Sequence, residues 1–301
     1  MRVCVTGSEG FIGRYIVDKF SREGHEVIGI DNLSKYGRTK PMCKYRLIIH
    51  DLTHPKTIQL MQKLDCDLII DLAEDVGGTT YLHKQGFHKI QTSLAIRHNI
   101  LSSCQITNAR YMCISTSSLY ESVQTFPTSE IPLNELPCPQ SPYALSKFNA
   151  EYLTKLANVN FVIVRLFNAA GIGDDCFEKA HVIPHLVHKI KHEKSIKLHG
   201  DGKQVRNFTH CKDIADALYI VSSSAHMGET FNIGSHNTYD ILTLCEKISN
   251  KLNINKPIET STSFSYDVNK SEPDISKLLN IGYNPAYDMD MILDEAIQYY
   301  E

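Results

Sequence analysis

Along the first half of the chain, apolar residues fall into short runs separated by longer amphipathic stretches. Runs at about 2–6, 26–30, 45–49, 67–71, 110–114 and 160–164 are short and rich in Val and Ile, so they predict strands. Between most of them the apolar spacing becomes helical, as in Ile12, Ile16, Val17 and Phe20. Strands alternating with helices predict an α/β fold built on a parallel, doubly wound sheet. Ser141-Pro142 followed by Tyr143 to Ala157 predicts a capped helix with proline in its first turn. Its apolar positions are Leu145, Phe148, Tyr152, Leu153 and Leu156, and Tyr143 and Lys147 share one of its faces.

After about residue 170 the pattern loosens into Gly/Asp-rich turns (171–175 and 200–202), shorter helices and a polar Ser/Thr stretch at 260–265. This divides the chain into a first domain over 1–170 and a smaller C-terminal lobe over 171–301, with about 205–235 a candidate to return to the first. The lobe is expected to cover the carboxyl edge of the sheet. No internal repeat is evident.

Candidate chemistry begins at Thr6-Gly7-Ser8-Glu9-Gly10-Phe11-Ile12-Gly13, which follows the first predicted strand and opens a helix. Glycines 7, 10 and 13 permit a tight turn and let backbone approach a pyrophosphate at the helix N-terminus. Asp31 ends the second strand, 18 residues past Gly13, where a carboxylate accepts hydrogen bonds from ribose hydroxyls and repels a 2′-phosphate. That favours NAD over NADP. Asp51-Leu52, after the third strand, is placed to meet the adenine edge, although an Asp there also serves as a helix cap.

Tyr143 and Lys147 form a Tyr-x-x-x-Lys pair. A tyrosine of ordinary pKa ~10 must drop by about three units, roughly 4 kcal/mol, to act as a base near neutrality. A lysine ammonium one turn away, beside a nicotinamide cation, supplies such stabilisation. Twenty-seven residues upstream, Thr116 lies in the hydroxyl-rich segment Ser115-Thr116-Ser117-Ser118 and is suited to hydrogen-bond a substrate hydroxyl.

With these motifs in place, and with Asp31-Asn32-Leu33-Ser34, Leu72-Ala73, Arg165-Leu166-Phe167-Asn168 and the stretch from Gly200 to Phe208, the chain resembles an extended short-chain dehydrogenase/reductase. More narrowly, it is similar to the NAD-dependent nucleotide-sugar epimerase/dehydratase family, over nearly its whole length. The resemblance implies a Rossmann sheet with a C-terminal substrate-binding lobe. It implies Thr116, Tyr143 and Lys147 as catalytic. It places Gly7, Gly10, Phe11, Ile12, Gly13, Asp31, Asn32, Ser34, Asp51, Leu52, Leu72, Ala73, Glu74, Ser93, Ile114, Tyr143 and Lys147 at the cofactor. Gly77, Gly78, Ser117, Asn168, His181, Val182, Leu198 and Arg206 fall at the substrate, with Asn168 and Arg206 on the diphosphate and Val182-Ile183-Pro184 against the base. In the implied chemistry Tyr143 takes the O4 proton while hydride leaves sugar C4 for NAD, giving a 4-keto sugar. A homodimer through helices near 85–106 and 142–157 is implied as well.

The chain departs from its relatives where product is chosen. A 4,6-dehydratase needs an acid and a base directly after the threonine, where this chain has Ser117 and Ser118, whose hydroxyls are poor substitutes. The common His-Leu-Ala-Ala is here Asp71-Leu72-Ala73-Glu74, followed by Asp75 and by Gly77-Gly78, a glycine pair expected beside the hexose. Glu121, which replaces a usual glycine, reads either as a solvated turn residue or as the acid/base of an unusual elimination. Ser93 replaces an asparagine, and Phe264 stands where relatives place a phosphate-binding arginine before the late Asp267-Val268. His181, His185, His188 and His192 lie on one helical stripe, opposite Ile183, Leu186, Val187 and Ile190, and are expected to be a solvated or interface face rather than a metal site.

Charge narrows the partners. Lys+Arg of 31 against Asp+Glu of 34 gives 31 − 34 = −3 without long single-sign runs, so neither nucleic acid nor a membrane surface is expected. The nine cysteines are scattered and lack a Cys-x-x-Cys, which argues for reduced thiols. No run approaches the ~18 apolar residues of a membrane span, and a cytoplasmic location is expected. The expected activity is a 4-epimerase acting on a UDP-hexose. The alternatives are an exocyclic or atypical dehydratase using Glu121 or Ser118, a keto-sugar reductase, and a catalytically silent NAD-sensing protein.

Overall fold

A computed structural model describes residues 1–37, 43–78, 81, 86–262 and 268–300. Seven parallel strands form the central sheet: β1 (Arg2–Thr6), β2 (Glu26–Asp31), β3 (Arg46–Ile49), β4 (Leu68–Asp71), β5 (Arg110–Thr116), β6 (Phe161–Leu166) and, out of sequence with them, Thr230–Ile233. The spatial order is Thr230–Ile233, β6, β5, β4, β1, β2, β3, so the winding direction reverses beside β1. The six strands expected from the apolar runs are all present, within two residues at each end.

Alternation along each strand feeds two cores. Val3, Val5, Leu68, Ile70, Met112, Ile114, Val162 and Val164 face one side, against α1 (Gly13–Arg22) and a later helix, Cys211–Val221. Cys4, Ile69, Tyr111, Cys113 and Ile163 face the other, under α2 (Thr57–Leu64), α3 (Gly86–Thr107) and α4 (Pro142–Leu156). Both faces are covered, which is why these strands read as nearly continuous apolar runs.

A third core is independent of the sheet. It joins α5 (Val182–His192), Ile241–Leu252 and Met289–Tyr299 through Leu186, Val187, Ile190, Leu244, Ile248, Ile292 and Leu293. The stretch between α5 and Ile241 sends one helix and one strand back to the sheet, and three short strands, Val205–Asn207, Thr238–Asp240 and Lys270–Ser271, pair beside the third core. Among the described residues no helix is long and apolar enough to cross a membrane.

Candidate active site

The carboxyl ends of β1, β4, β5 and β6 open onto a cleft of about 610 Å³ whose opposite wall comes from the third core. A second cavity, of about 280 Å³, continues from it past the end of β2. A cleft at the carboxyl edge, where strand order reverses, is the ligand position that this kind of sheet favours.

The glycine turn after β1 lies between the two cavities, and contact distances explain its composition. A Cβ on Gly13 would stand 2.1 Å from the Gly7 carbonyl oxygen, and one on Gly10 would stand 2.9 Å from the same atom. Gly7 itself has φ +65°, and a side chain there would press on the Leu72 and Ala73 backbone at 3.1–3.2 Å. The loop therefore closes on itself so tightly that only glycine fits, and it brings the start of α1 to the cleft. Phe11, Ile12 and Ile114 also line it.

Asp31 ends β2 with its carboxylate oriented by two backbone amides, Glu9 N–H at 2.9 Å and Leu33 N–H at 2.7 Å. Asn32, Ser34, Asp51, Leu52 and Ala73 surround the same second cavity, while Leu72 and Glu74 border both. Ser93 is the exception. It is buried on α3 and lines neither cavity, where its neighbours Thr92 and Ile96 do.

At the chemical end, α4 starts as its sequence predicts. Ser141 caps it by accepting from the Ala144 amide at 3.3 Å, and Pro142 occupies the first turn. Tyr143 and Lys147 consequently face the cleft together, with Nζ 5.9 Å from the phenol ring centroid. Thr116 ends β5 and lines the same cleft, and its hydroxyl donates to that of Ser118 at 3.2 Å. Lys147 Nζ donates to the Ile114 carbonyl at 3.0 Å and meets the Glu74 carboxylate at 2.9 Å. Burial pushes the Tyr143 phenol above its ordinary value; Lys147 pulls it back and Glu74 adds to the rise. Burial opposes the charge on Lys147, but the Glu74 carboxylate and the Tyr143 phenol together hold the ammonium above its ordinary value.

Ser117, Asn168, Val182, Leu198 and Arg206 line the cleft. Asn168 is oriented by its amide, which donates to the Asn207 carbonyl at 2.9 Å. Ile183 and Pro184, expected beside Val182 at the ligand, are instead buried, with Ile183 in the third core. Gly77 and Gly78 also line the cleft, and their lack of side chains serves a backbone contact. A Cβ on Gly77 would stand 2.9 Å from the Lys179 carbonyl oxygen, and one on Gly78 2.5 Å from that of Ala180. Here the loop after β4 presses on the segment leading into α5. Glu121 also faces the cleft. Its Oε1 accepts from the Gln140 amide, while its buried Oε2 has no hydrogen-bond partner.

The histidine stripe is only partly solvated: His192 is exposed, while His181, His185 and His188 are half-buried. His181 and His185 line the cleft, and His181 Nδ1 lies 2.7 Å from the buried Asp174 carboxylate. His185 and His188 pack on Phe177 with ring centroids 4.5 and 4.3 Å away. Among the described residues no cluster of His, Cys, Asp and Glu could hold a metal ion. Phe264 and Asp267 lie outside the described residues.

Several cleft residues escaped the sequence reading, including Lys35, Tyr81 and Phe177. Behind the cleft lies Arg97, which is 1% exposed on α3 and contacts Asp71, Ala73 and Glu74. Its signal was present: an arginine on the helix face shared with Ile96, Ile100 and Leu101, 23 residues after the unusual Glu74.

A family model described as the NAD dependent epimerase/dehydratase family matches residues 3–234. The chain belongs to that family. A UDP-glucuronic acid decarboxylase of Arabidopsis thaliana is 29% identical over 293 residues, covering 92% of this chain and 64% of the relative. The chain thus spans under two thirds of that relative's length. A UDP-glucose 4-epimerase of Mycolicibacterium smegmatis is 26% identical over 78% of this chain and 77% of its own. In fold, the crystal structure of a UDP-glucose 4-epimerase of Thermotoga maritima with UDP-glucose superposes with a TM-score of 0.89 at 22% identity, covering 100% of this chain and 98% of that one. Family membership accounts for the joined pair of cavities, one beside the glycine turn and Asp31, the other beside Tyr143.

Proposed function

We propose that this member of the epimerase/dehydratase family is an NAD-dependent nucleotide-sugar 4-epimerase acting through a 4-keto sugar, with a UDP-hexose as substrate. The carrying observation is that Thr116, Tyr143 and Lys147 line the first cavity, which is joined to the second at the glycine turn.

The residues present fit NAD: the glycine turn leaves a cradle that a Cβ at position 7, 10 or 13 would collide with, and Asp31 stands at the ribose end. Gly7, Gly10, Phe11, Ile12 and Gly13 would hold the pyrophosphate, and Asp31, Asn32, Ser34, Asp51 and Leu52 the adenosine. NAD bound there supplies a hydride acceptor. Tyr143 takes the proton from the sugar hydroxyl, Thr116 orients that hydroxyl, and Lys147 supports the phenolate. Asn168 and Arg206 hold the diphosphate, with His181, Val182 and Leu198 nearer the base. Ser117, Ser118, Gly77 and Gly78 border the hexose, which must turn over before hydride returns to its other face.

A second reading is favoured by the decarboxylase relative. A uronic acid oxidised at C4 is a β-keto acid: its C5–C6 bond breaks to release carbon dioxide, the electron pair passes into a C4 enolate, and C5 then takes a proton from water or a cleft acid before hydride returns to C4. Glu121 offers another outcome, because a carboxylate among the cleft-lining residues is the type of group that removes or delivers a proton. Mass spectrometry on a panel of UDP-, GDP- and dTDP-sugars separates these. Epimerisation, the expected result, leaves mass unchanged; decarboxylation, dehydration and reduction each change it. Bound NAD with no product from any sugar would favour a silent NAD-sensing protein.

The same α3 and α4 that carry the site expose Phe87, Leu94, Ile106, Tyr152 and Leu156, with Phe87 76% and Leu156 64% exposed. A second copy of the chain, burying these helices in a homodimer, accounts for so apolar a face. Replacing Tyr152 and Leu156 by glutamate is expected to halve the particle mass in analytical ultracentrifugation. An unchanged mass would remove α4 from the interface.

A further inference from the structure

Strand parity directs the ends of β1 and β4 toward the α3/α4 layer. Thr6 and Asp71 fall on the same side as Cys4 and Ile69, and so does Tyr111 of β5. Asp71 accepts from the Thr6 hydroxyl at 2.8 Å and the Tyr111 phenol at 2.7 Å, and pairs with Arg97 at 2.9 Å. Arg97 reaches Glu74 at 2.8 Å, and Glu74 reaches Lys147 at 2.9 Å and accepts from the Ser146 hydroxyl at 3.0 Å. Asp71, Arg97, Glu74 and Lys147 have side chains no more than 5% exposed. Two anions and two cations thus alternate in one buried row that ends beside Tyr143.

We infer that Glu74, anchored on Arg97, is a positioning residue that holds Lys147 and governs how readily Tyr143 gives up its proton. The inference rests on the proposed role of Tyr143 as base. Buried charges interact strongly, because little water screens them. An ammonium alone would favour the phenolate, but Glu74 balances that ammonium and Arg97 in turn balances Glu74. Burial would raise the Glu74 carboxyl, yet Lys147 and Arg97 hold it at about 2, so it remains an anion throughout the working range. The other titratable groups facing the row are neutral or farther from it. The Cys113 thiol is pushed up to about 12 by burial and the Tyr111 phenol is raised well above its ordinary value by burial and Asp71. Lys89 of α3, stacked on Tyr81 3.8 Å from its centroid, and Asp75, paired with Lys179, lie beyond Glu74. Glu74 and Lys147 both border the cleft, so the balance is struck where substrate binds.

The row gives opposite signs for its two central members. Glu74→Gln removes an anion and leaves an excess positive charge, so the phenolate forms more easily. Arg97→Gln removes a cation and leaves an excess negative charge, so it forms less easily. The acid limb of kcat/KM on the NAD-loaded enzyme is expected to move about one pH unit or more toward acid in E74Q and by a similar amount toward alkali in R97Q. Glu74→Asp keeps the charge and should leave the limb near its original position. A readout free of turnover is the pH titration of isotope-labelled tyrosine by NMR, with the Tyr143 resonance identified by its loss in Y143F; it should move with the same signs. Circular dichroism and thermal melting establish that each variant folds, and either variant alone still carries its predicted sign. Limbs and resonances that stay in place, or that shift in the same direction in both variants, overturn the inference. Full turnover in Y143F would instead overturn the base assignment on which it rests.

Discussion

Replacing Tyr143 by phenylalanine is expected to lower turnover of a nucleotide sugar by about 10³-fold while NAD remains bound, because a positioned proton acceptor contributes 10²–10⁴-fold, roughly, to such steps. The substitution removes one oxygen from the cleft wall and leaves the ring to pack as before. Thr116 keeps the Ser118 hydroxyl and amide, each at 3.2 Å, so the end of β5 should stay in place. Lys147 remains fixed by Glu74 and the Ile114 carbonyl. The measurement is steady-state kinetics on whichever sugar the panel identifies, with NAD content followed by absorbance after denaturation. Turnover within a few-fold of the unsubstituted enzyme would mean that another group, with Glu121 the nearest candidate, accepts the proton.

The largest effect on stability should come from Arg165→Leu. Arg165 of β6 points to the α4 side, as Ile163 does, and is 0% exposed. Its guanidinium meets Glu151 of α4 twice, at 2.9 and 2.8 Å, and also reaches the Tyr120 hydroxyl and the Ile131 carbonyl. Glu151, equally buried, accepts from the Ser115 hydroxyl at 2.5 Å. Leucine at position 165 would leave the Glu151 carboxylate with that hydroxyl alone, and an uncompensated buried charge costs about 3–5 kcal/mol. Urea unfolding should show the loss as a lower midpoint at similar slope. Pairing it with Glu151→Leu should restore much of the stability, because the unpaired charge goes with it. A single substitution costing under about 1 kcal/mol would show that the pair is not sealed from water. Ser115 and Tyr120 flank the segment that carries Thr116, the proposed partner of the substrate hydroxyl, so the single variant should also disturb activity.

The sequence alone determined the elements whose causes are local. Six strands were legible from their short apolar runs, which in the central strands reflect burial on both faces while β3 is a half-exposed edge, and α4 because Ser141 and Pro142 announce its start. The glycine turn, Asp31 and the Tyr143/Lys147 pair were legible for a similar reason, since backbone approach and helical spacing act over a few residues. Family resemblance pointed to many of the other cleft residues but not to Lys35, Tyr81 or Phe177, and it named Ser93, which the fold keeps away from both cavities.

What only the tertiary structure decided depends on segments far apart in the chain. Thr230–Ile233 is four residues long and finds its place through pairing with β6, more than sixty residues earlier. The glycine pair after β4 answers to backbone at 179–180, and the histidine stripe to Phe177 and Asp174, contacts that no local period encodes. Asp71, Glu74, Arg97 and Lys147 come from β4, the loop after it, α3 and α4. In sequence they are four separate charged residues; packing them away from water turns them into one balanced row, because only there do their charges act on each other strongly enough to matter to Tyr143.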